Sequence, residues 1–401
     1  MPDSKLASSL RRTMEALPSG EPVPVIVKFQ PGLRGARRAI VPDLAVTYSY
    51  SLLPAMAVQA SAERLLQLAR DPGVEYVWPD LPVHIWLDVS VPLLGVPQAW
   101  SAGFKGKGVV IAVVDTGVDA NHPDLAGRVA ATHDFTGEGF SDGHGHGTHV
   151  CSIAAGSGAA SQGKYTGVAP EASLVVAKVL RKDGSGMTSD VMAGLEWAVD
   201  QKAQVINLSL GSSGPCDGTD ALSATCDAAC ARGVLVCVAA GNEGPGSSTV
   251  GSPGCARKVI TVGASDDADT VATFSSRGPT LDGRNKPDLC FPGVRIVAAR
   301  ASGTLMGTVV DDYYTEASGT SMATPHATGA VALLLQASPQ STPDQIKGLL
   351  MQTAKDLGLA ANTQGAGRAD IGKAFGGGGV TPRPQPPQGC SLALLKAMLA
   401  R

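Results

Sequence analysis

The sequence predicts an α/β protein: a three-layer α/β/α domain on a mostly parallel central sheet, preceded by a small α+β module. Three observations lead there. From Gly108 onward, apolar segments such as VVIAVVD, SLVVAKVL, AQVINLSL, GVLVCVAAG and KVITVGA run with little polar alternation. Helical spacing over 147–155, 189–200 and 219–232 separates several of them. Strands apolar on both faces need cover on both, which is the arrangement of a parallel sheet between two helix layers. Upstream, shorter segments follow a different order, β–α–β–β–α–β, of the ferredoxin-like kind.

Residues 1–21 read as a flexible leader. The opening MPDSKLASSLRRTMEALPSG lacks the apolar core of a secretory signal. The protein is then either intracellular or secreted with its signal absent from this chain. VPVIVKF at 23–29 reads as a strand, and 46–58 as two extended pieces broken at Pro54. AERLLQLAR at 62–70 has helical spacing with Ser61 as its N-cap, and VEYVW at 74–78 returns to strand character. The small module takes 22–88, its pattern fading at 80–84, and the large domain takes 89–375.

After Phe375, GGGGVTPRPQPPQG is a flexible and then stiff linker, and CSLALLKAMLAR predicts a short amphipathic helix within the tail 376–401. No run of about 20 apolar residues is present, so no membrane span is expected. A net charge of −3 gives no electrostatic reason to expect a nucleic-acid partner.

Seven of the eight cysteines fall into classes. Cys151, Cys237 and Cys290 sit inside apolar runs and read as small buried hydrophobes. Cys226 and Cys230 share one helix face at i, i+4. Cys216 and Cys255, in turn-rich segments, are candidates to pair. The absence of any CxxC pair argues against a zinc ribbon.

Four polar residues stand where chemistry is favoured. Asp115 ends the strand VVIAVVD, where a carboxylate can be held in one orientation. His146 lies in DGHGHGTHV, whose glycines let backbone approach closely before a helix. Its imidazole can exchange a proton near neutral pH. A rival metal-site reading of His144, His146 and His149 lacks a nearby acidic or sulfur ligand at zinc-like spacing. His149 reads instead as a packed core histidine. Ser321 lies in SGTSMATPHATGAVALLLQ at the start of a long apolar helix, where free N–H groups favour developing negative charge. Asn242, in VAAGNEGPG directly after a buried strand, can offer its amide N–H to an oxyanion.

Together these segments resemble one family. DTGVDANHPDL (115–125), GHGTHV (145–150), AAGNEG (239–244) and GTSMATPHATG (319–329) are similar to the four signature segments of the subtilisin-like serine proteases (subtilases, peptidase family S8), in that family's order Asp, His, Asn, Ser. FSSRGP (274–279) is similar to a further family segment. The resemblance covers about 90–375.

It implies a serine endopeptidase with Asp115 orienting the imidazole, His146 as general base and acid, and Ser321 as nucleophile. Asn242 and the Ser321 N–H would form the oxyanion hole. An extended peptide or protein substrate would bind between strand edges carrying Gly184, Ser185, Gly186, Ser209, Leu210 and Gly211. Ala240 and Gly241 would help wall an apolar P1 pocket, giving broad cleavage after large apolar residues. No cofactor is needed for this chemistry. Asp124 matches one family calcium ligand, but 156–170 (GSGAASQGKYTGVAP) lacks the family's Asn-rich calcium loop. The chain therefore resembles the bacterial branch without that loop, and structural calcium stays open.

The first module resembles the family's inhibitory propeptide. The resemblance implies that the chain is made as a zymogen and that the segment after the module occupies the substrate cleft; no motif marks the processing site, which is expected between His84 and Ser90. Two readings compete: an inactive subtilase-fold binding protein, and a metal-dependent hydrolase using the histidine cluster. An esterase would want G-x-S-x-G, and Gly319-Thr320-Ser321-Met322-Ala323 lacks the second glycine.

Overall fold

The computed structural model describes residues 5–7, 10, 22–33, 37–80, 82–85 and 91–376. In the first module, β1 (Val23–Phe29), α1 (Arg37–Ile40), β2 (Val46–Ser49), β3 (Ala55–Ala60), α2 (Ala62–Arg70) and β4 (Val74–Pro79) follow the expected order. The sheet runs β2-β3-β1-β4 with every neighbour antiparallel. Helix α2 starts where the Ser61 hydroxyl accepts the Arg64 N–H. It buries Leu65, Leu68 and Ala69, an i, i+3, i+4 stripe.

The leader expectation needs correcting in part. Leu6 bridges Val77 beside the sheet, and Leu6 and Leu10 are fully buried, because two leucines four apart supply apolar area that the small module can cover. The rest of 1–21, like 377–401 with its expected helix, lies outside the described residues.

The large domain follows α3 (Val96–Ser101). Its strands are β6 (Val110–Asp115), β7 (Val129–Asp134), β8 (Ser173–Lys178), β10 (Val205–Leu208), β12 (Leu235–Ala239), β13 (Ile260–Ser265) and β14 (Leu289–Pro292). They form one seven-stranded sheet in the order β14-β13-β12-β10-β6-β8-β7, all parallel.

Successive residues of each strand serve opposite faces. Ala112, Val114, Ile206 and Val236 pack with α5 (Thr188–Asp200) and α6 (Ala221–Ala231). Ile111, Val113, Val205 and Leu235 pack with α4 (His146–Ala155) and α7 (Thr320–Ala337). This is the three-layer arrangement. Helix α7 comes close to α4 because of Gly329, where a Cβ would stand 2.9 Å from the Ala154 carbonyl and 2.5 Å from the Val168 Cβ.

Three features escaped the sequence reading. Strand β7 is a half-exposed edge (VAATHD) without the continuous apolar run of its neighbours, and β14 has four residues (LCFP) and ends in proline. A separate small sheet of β15 (Ile296–Ala299), β16 (Thr308–Val309) and β17 (Tyr314–Ala317) packs beside α4.

The first module docks on the α5 side of the sheet and shares its hydrophobic core. Helix α5 has no side-chain cap of its own, and Asp80 Oδ1 accepts the Ser189 N–H at 2.6 Å. The Tyr48 hydroxyl donates to Asp190 at 2.8 Å, and the Tyr50 hydroxyl to the Ser189 carbonyl at 3.1 Å. Glu196 accepts the N–H groups of Ser51 and Leu52, and Trp78 Nε1 donates to the Thr219 carbonyl.

Candidate active site

Strand order reverses direction around β6, which has β8 on one side and β10 on the other. Sites in parallel sheets form at such a point, at the strands' carboxyl ends. Asp115 is the last residue of β6 and is fully buried. Its Oδ1 accepts the Thr116 N–H at 2.7 Å and meets His146 Nδ1 at 2.6 Å. An ionised carboxylate can only accept, so Nδ1 carries the hydrogen and Nε2 is left as the basic nitrogen.

His146 opens α4 after Gly145, whose φ of 105° suits glycine. At Gly147 a Cβ would stand 2.1 Å from the Gly117 carbonyl, so glycine is required for the helix start to reach the Asp115 turn. Asp142 was not singled out from sequence. It accepts from the Gly145 N–H, the Thr148 N–H and hydroxyl, and the Thr116 hydroxyl, tying helix start to strand end. An Asp a few residues before the helix was the available signal.

The neighbouring histidines do different work. His149 Nε2 donates to the Thr315 carbonyl at 3.1 Å, and burial pushes its pKa down to about 3, so it is neutral. Burial also lowers the pKa of His144, whose ring lies edge-on to His146 at 6.3 Å. Among the described residues no His, Cys, Asp and Glu grouping is placed to hold a metal ion. Both Asp124 oxygens accept protein donors: the Ala160 N–H at 2.9 Å and the Tyr314 hydroxyl at 2.8 Å.

Ser321 is buried in the first turn of α7. Pro325, four residues on, has no N–H to give the Ser321 carbonyl. The Ser209 hydroxyl replaces it at 2.5 Å, while the Ser321 hydroxyl donates to the Ser209 carbonyl at 3.0 Å. Ser209 Oγ in turn accepts from Asn207, and Asn207 from the Thr328 hydroxyl. This buried chain locks the end of β10 to α7. His326 Nδ1 donates to the Met322 carbonyl at 2.6 Å, and burial lowers its pKa to about 4.

Asn242 follows β12. Its Oδ1 accepts the Thr320 N–H at 2.8 Å and the Thr320 hydroxyl at 3.1 Å. A main-chain N–H can only donate, which fixes the amide orientation and turns the Nδ2 hydrogens away from Thr320. The structure thus joins Asp115 directly to His146, and Asn242 to Ser321 through Thr320. Packing of α4 on α7 brings the two pairs' helices together.

Strand β5 (Pro82–Ile85) lies between β9 (Gly186–Met187) and β11 (Leu210–Gly211) in an antiparallel three-stranded sheet. Its register is Pro82↔Met187 and Val83↔Gly186 on one side, His84↔Gly211 and Ile85↔Leu210 on the other. Gly184 and Ser185 form the turn before β9, with the Ser185 carbonyl accepting the Arg181 N–H at 2.7 Å. Leu210, Gly211, Ala240 and Gly241 line one pocket together with Thr249 and Ser252. Glu243 also lines it, an acid that sequence reasoning missed; it accepts the Gly214 N–H at 3.2 Å. A roomier cleft of about 350 Å³, between Trp100, Tyr165 and Ile296, contains none of these residues.

A family model described as the subtilase family matches residues 106–368. The chain is 44% identical over 287 residues to the serine protease AprX of Bacillus subtilis (strain 168), covering 65% of this chain and 65% of that one. It is 36% identical over 365 residues to subtilisin E of Bacillus subtilis (strain 168), covering 89% of this chain and 86% of that one. Among solved structures it is similar to fervidolysin from Fervidobacterium pennivorans, described as a keratinolytic enzyme related to subtilisin. The TM-score there is 0.72 at 26% identity, with 93% of this chain and 63% of that one covered.

Proposed function

Because the chain belongs to the subtilase family of serine endopeptidases, we propose that it is an active endopeptidase made as a zymogen, cleaving proteins through an acyl-enzyme and removing its own N-terminal module. The observation that carries the chemistry is the buried contact of His146 Nδ1 with Asp115, 2.6 Å long. It commits His146 Nε2 to act as base. In the resting chain the Ser321 hydroxyl hydrogen is held by the Ser209 carbonyl. Rotation toward Nε2 hands that proton to His146 as Oγ attacks the peptide carbonyl. Negative charge on the carbonyl oxygen is met by the Asn242 amide and the Ser321 N–H. His146 then protonates the leaving amine, and water, activated by the same nitrogen, hydrolyses the acyl-enzyme. No metal or cofactor takes part.

Substrates bind as an added strand between β9 and β11, the position that β5 takes in this chain. Main-chain pairing makes few sequence demands, and the pocket of Leu210, Gly211, Ala240 and Gly241 favours large apolar P1 side chains. The module 22–80 with β5 acts as an intramolecular inhibitor. Expression of wild type beside Ser321→Ala tests the proposal on a gel. The wild type should shed a fragment of the module's size and label with a fluorophosphonate. Ser321→Ala should stay full length and unlabelled. A wild type that neither processes nor labels would mean an inactive binding protein.

A further inference from the structure

The pocket beside the β5 groove is walled by three segments: 210–213, which begins with β11; Ala239, Ala240, Gly241 and Glu243 at and after the end of β12; and a separate loop carrying Thr249, Gly251 and Ser252. The main chains of the first and third meet at a single hydrogen bond, from the Ser212 N–H to the Ser252 carbonyl at 2.8 Å. A few residues further along each of these two loops, Cys216 is joined to Cys255 in a disulfide with Cα atoms 6.0 Å apart. Cys255 is fully buried and Cys216 is half-exposed. Arg284 fastens the same corner, donating to the Asp217 and Cys255 carbonyls at 2.8 and 2.7 Å. Asp220 accepts the Ser252 hydroxyl at 2.5 Å. The crosslink thus ties together two of the three segments that wall the pocket.

We propose that the Cys216–Cys255 disulfide is a specificity-determining clamp, holding wall 210–213 against wall 249–252 and so setting how closely the pocket closes on a large apolar P1 side chain. The proposal rests on the reading of this pocket as the P1 site. Close packing makes the grip steep in distance: a gap of about 0.5–1 Å forfeits a quarter to a half of each dispersion contact. A bulky side chain touches both walls and feels such a gap, whereas an alanine side chain is too short to span them. Opening the clamp therefore raises KM for substrates with large P1 groups and leaves small ones alone. Asp115, His146 and Ser321 sit on β6, α4 and α7, outside both loops, but loop 210–213 follows directly on Ser209, whose hydrogen bonds hold Ser321, so kcat is read beside KM and the larger change is expected in KM.

The redox chemistry is confined to this pair among the described residues. The other described cysteines, Cys151, Cys226, Cys230, Cys237 and Cys290, are buried free thiols. Burial pushes the pKa of Cys230, Cys237 and Cys290 up to about 12, and raises those of Cys151 and Cys226 as well, so they are poorly reactive. Dithiothreitol delivers two electrons and two protons to the S–S bond, leaving two thiols and becoming a cyclic disulfide itself.

The test uses the full chain after self-processing and peptide substrates that differ only in Phe or Ala at P1. The oxidised wild type is compared with the dithiothreitol-reduced wild type and with the double variant Cys216→Ser, Cys255→Ser. The Phe-to-Ala ratio of kcat/KM should fall about tenfold, the scale of losing part of one apolar pocket's contacts, through KM for Phe. Reoxidation should restore it in the wild type only. Reading reduction on the already folded chain guards against misfolding of the double variant. A lowered Tm with an unchanged P1 ratio in both forms would overturn the clamp and leave a stabilising crosslink. Ala240→Val in the oxidised chain separates the premise: if it cuts cleavage after Phe, the pocket reading stands and the disulfide result decides the clamp. If it leaves the P1 profile unchanged, the pocket reading and the clamp fall together.

Discussion

Ser209 and Ser321 exchange hydrogen bonds in both directions: each hydroxyl donates to the other's main-chain carbonyl, at 2.5 Å from Ser209 and 3.0 Å from Ser321. A residue of the proposed substrate groove and the proposed nucleophile therefore hold each other's position. The exchange exists because Pro325 leaves the Ser321 carbonyl without a helical donor.

Ser209→Ala removes that donor and leaves a buried carbonyl unsatisfied. The expected loss is about 1–3 kcal/mol of stability, read as a lower denaturant midpoint with unchanged m-value. The kcat should fall as well, since the first turn of α7 loses its fixed point. A variant with wild-type midpoint and kcat would refute this role.

Asn242→Ala should lower kcat by about 10²–10³ with KM nearly constant, because the amide donates only to charge that develops during reaction. Steady-state kinetics on one peptide substrate checks it. A rise in KM with kcat intact would instead make Asn242 a ground-state contact.

Asp80 lies between the first module and α5, next to Asp190, Tyr48 and Tyr50, with Arg181 3.9 Å from Asp190. Burial pushes the Asp80 pKa up from 3.8 to about 6, and burial also raises those of Asp190 and Glu196. A raised bound-state pKa means that the docked module holds the proton better than the released one. Its contribution to docking is full below pH 3.8 and lost as pH rises through about 6. The processed module should be retained about tenfold more tightly at pH 5 than at pH 7, measured by gel filtration of the processed mixture. Asp80→Asn should flatten that dependence; an equal dependence in the variant would place the effect elsewhere.

Chelation should leave the thermal midpoint unchanged. Both oxygens of Asp124 are already occupied by the Ala160 N–H and the Tyr314 hydroxyl, so this carboxylate needs no cation to offset its burial. A drop of several degrees in strong chelator would show that a metal contributes after all.

The parts legible in the sequence were those fixed locally. Asp115 ends an unbroken apolar strand, His146 and Ser321 start helices behind glycine, and Asn242 follows a buried strand, so each could be placed before any contact was known. Pairing of Cys216 with Cys255 was legible as a candidate because both lie in turn-rich segments. What stayed hidden depends on partners distant in sequence. The Ser209–Ser321 exchange joins residues 112 positions apart. Asp142 matters because Thr116 folds back onto it, and Glu243 reaches the pocket only once two loops meet. Edge strand β7 was missed because one of its faces is open to solvent, which removes the apolar run that marked its neighbours.

The placement of β5 between β9 and β11 has a kinetic side. A ligand tethered to its receptor competes at a local concentration in the millimolar range for a short connection. A free peptide of the same intrinsic affinity must exceed that concentration to displace it. Cutting the tether changes no contact in the groove, yet it hands the occupant over to mass action. From that moment dilution alone can empty the groove, and the severed bond serves as a timer set by volume.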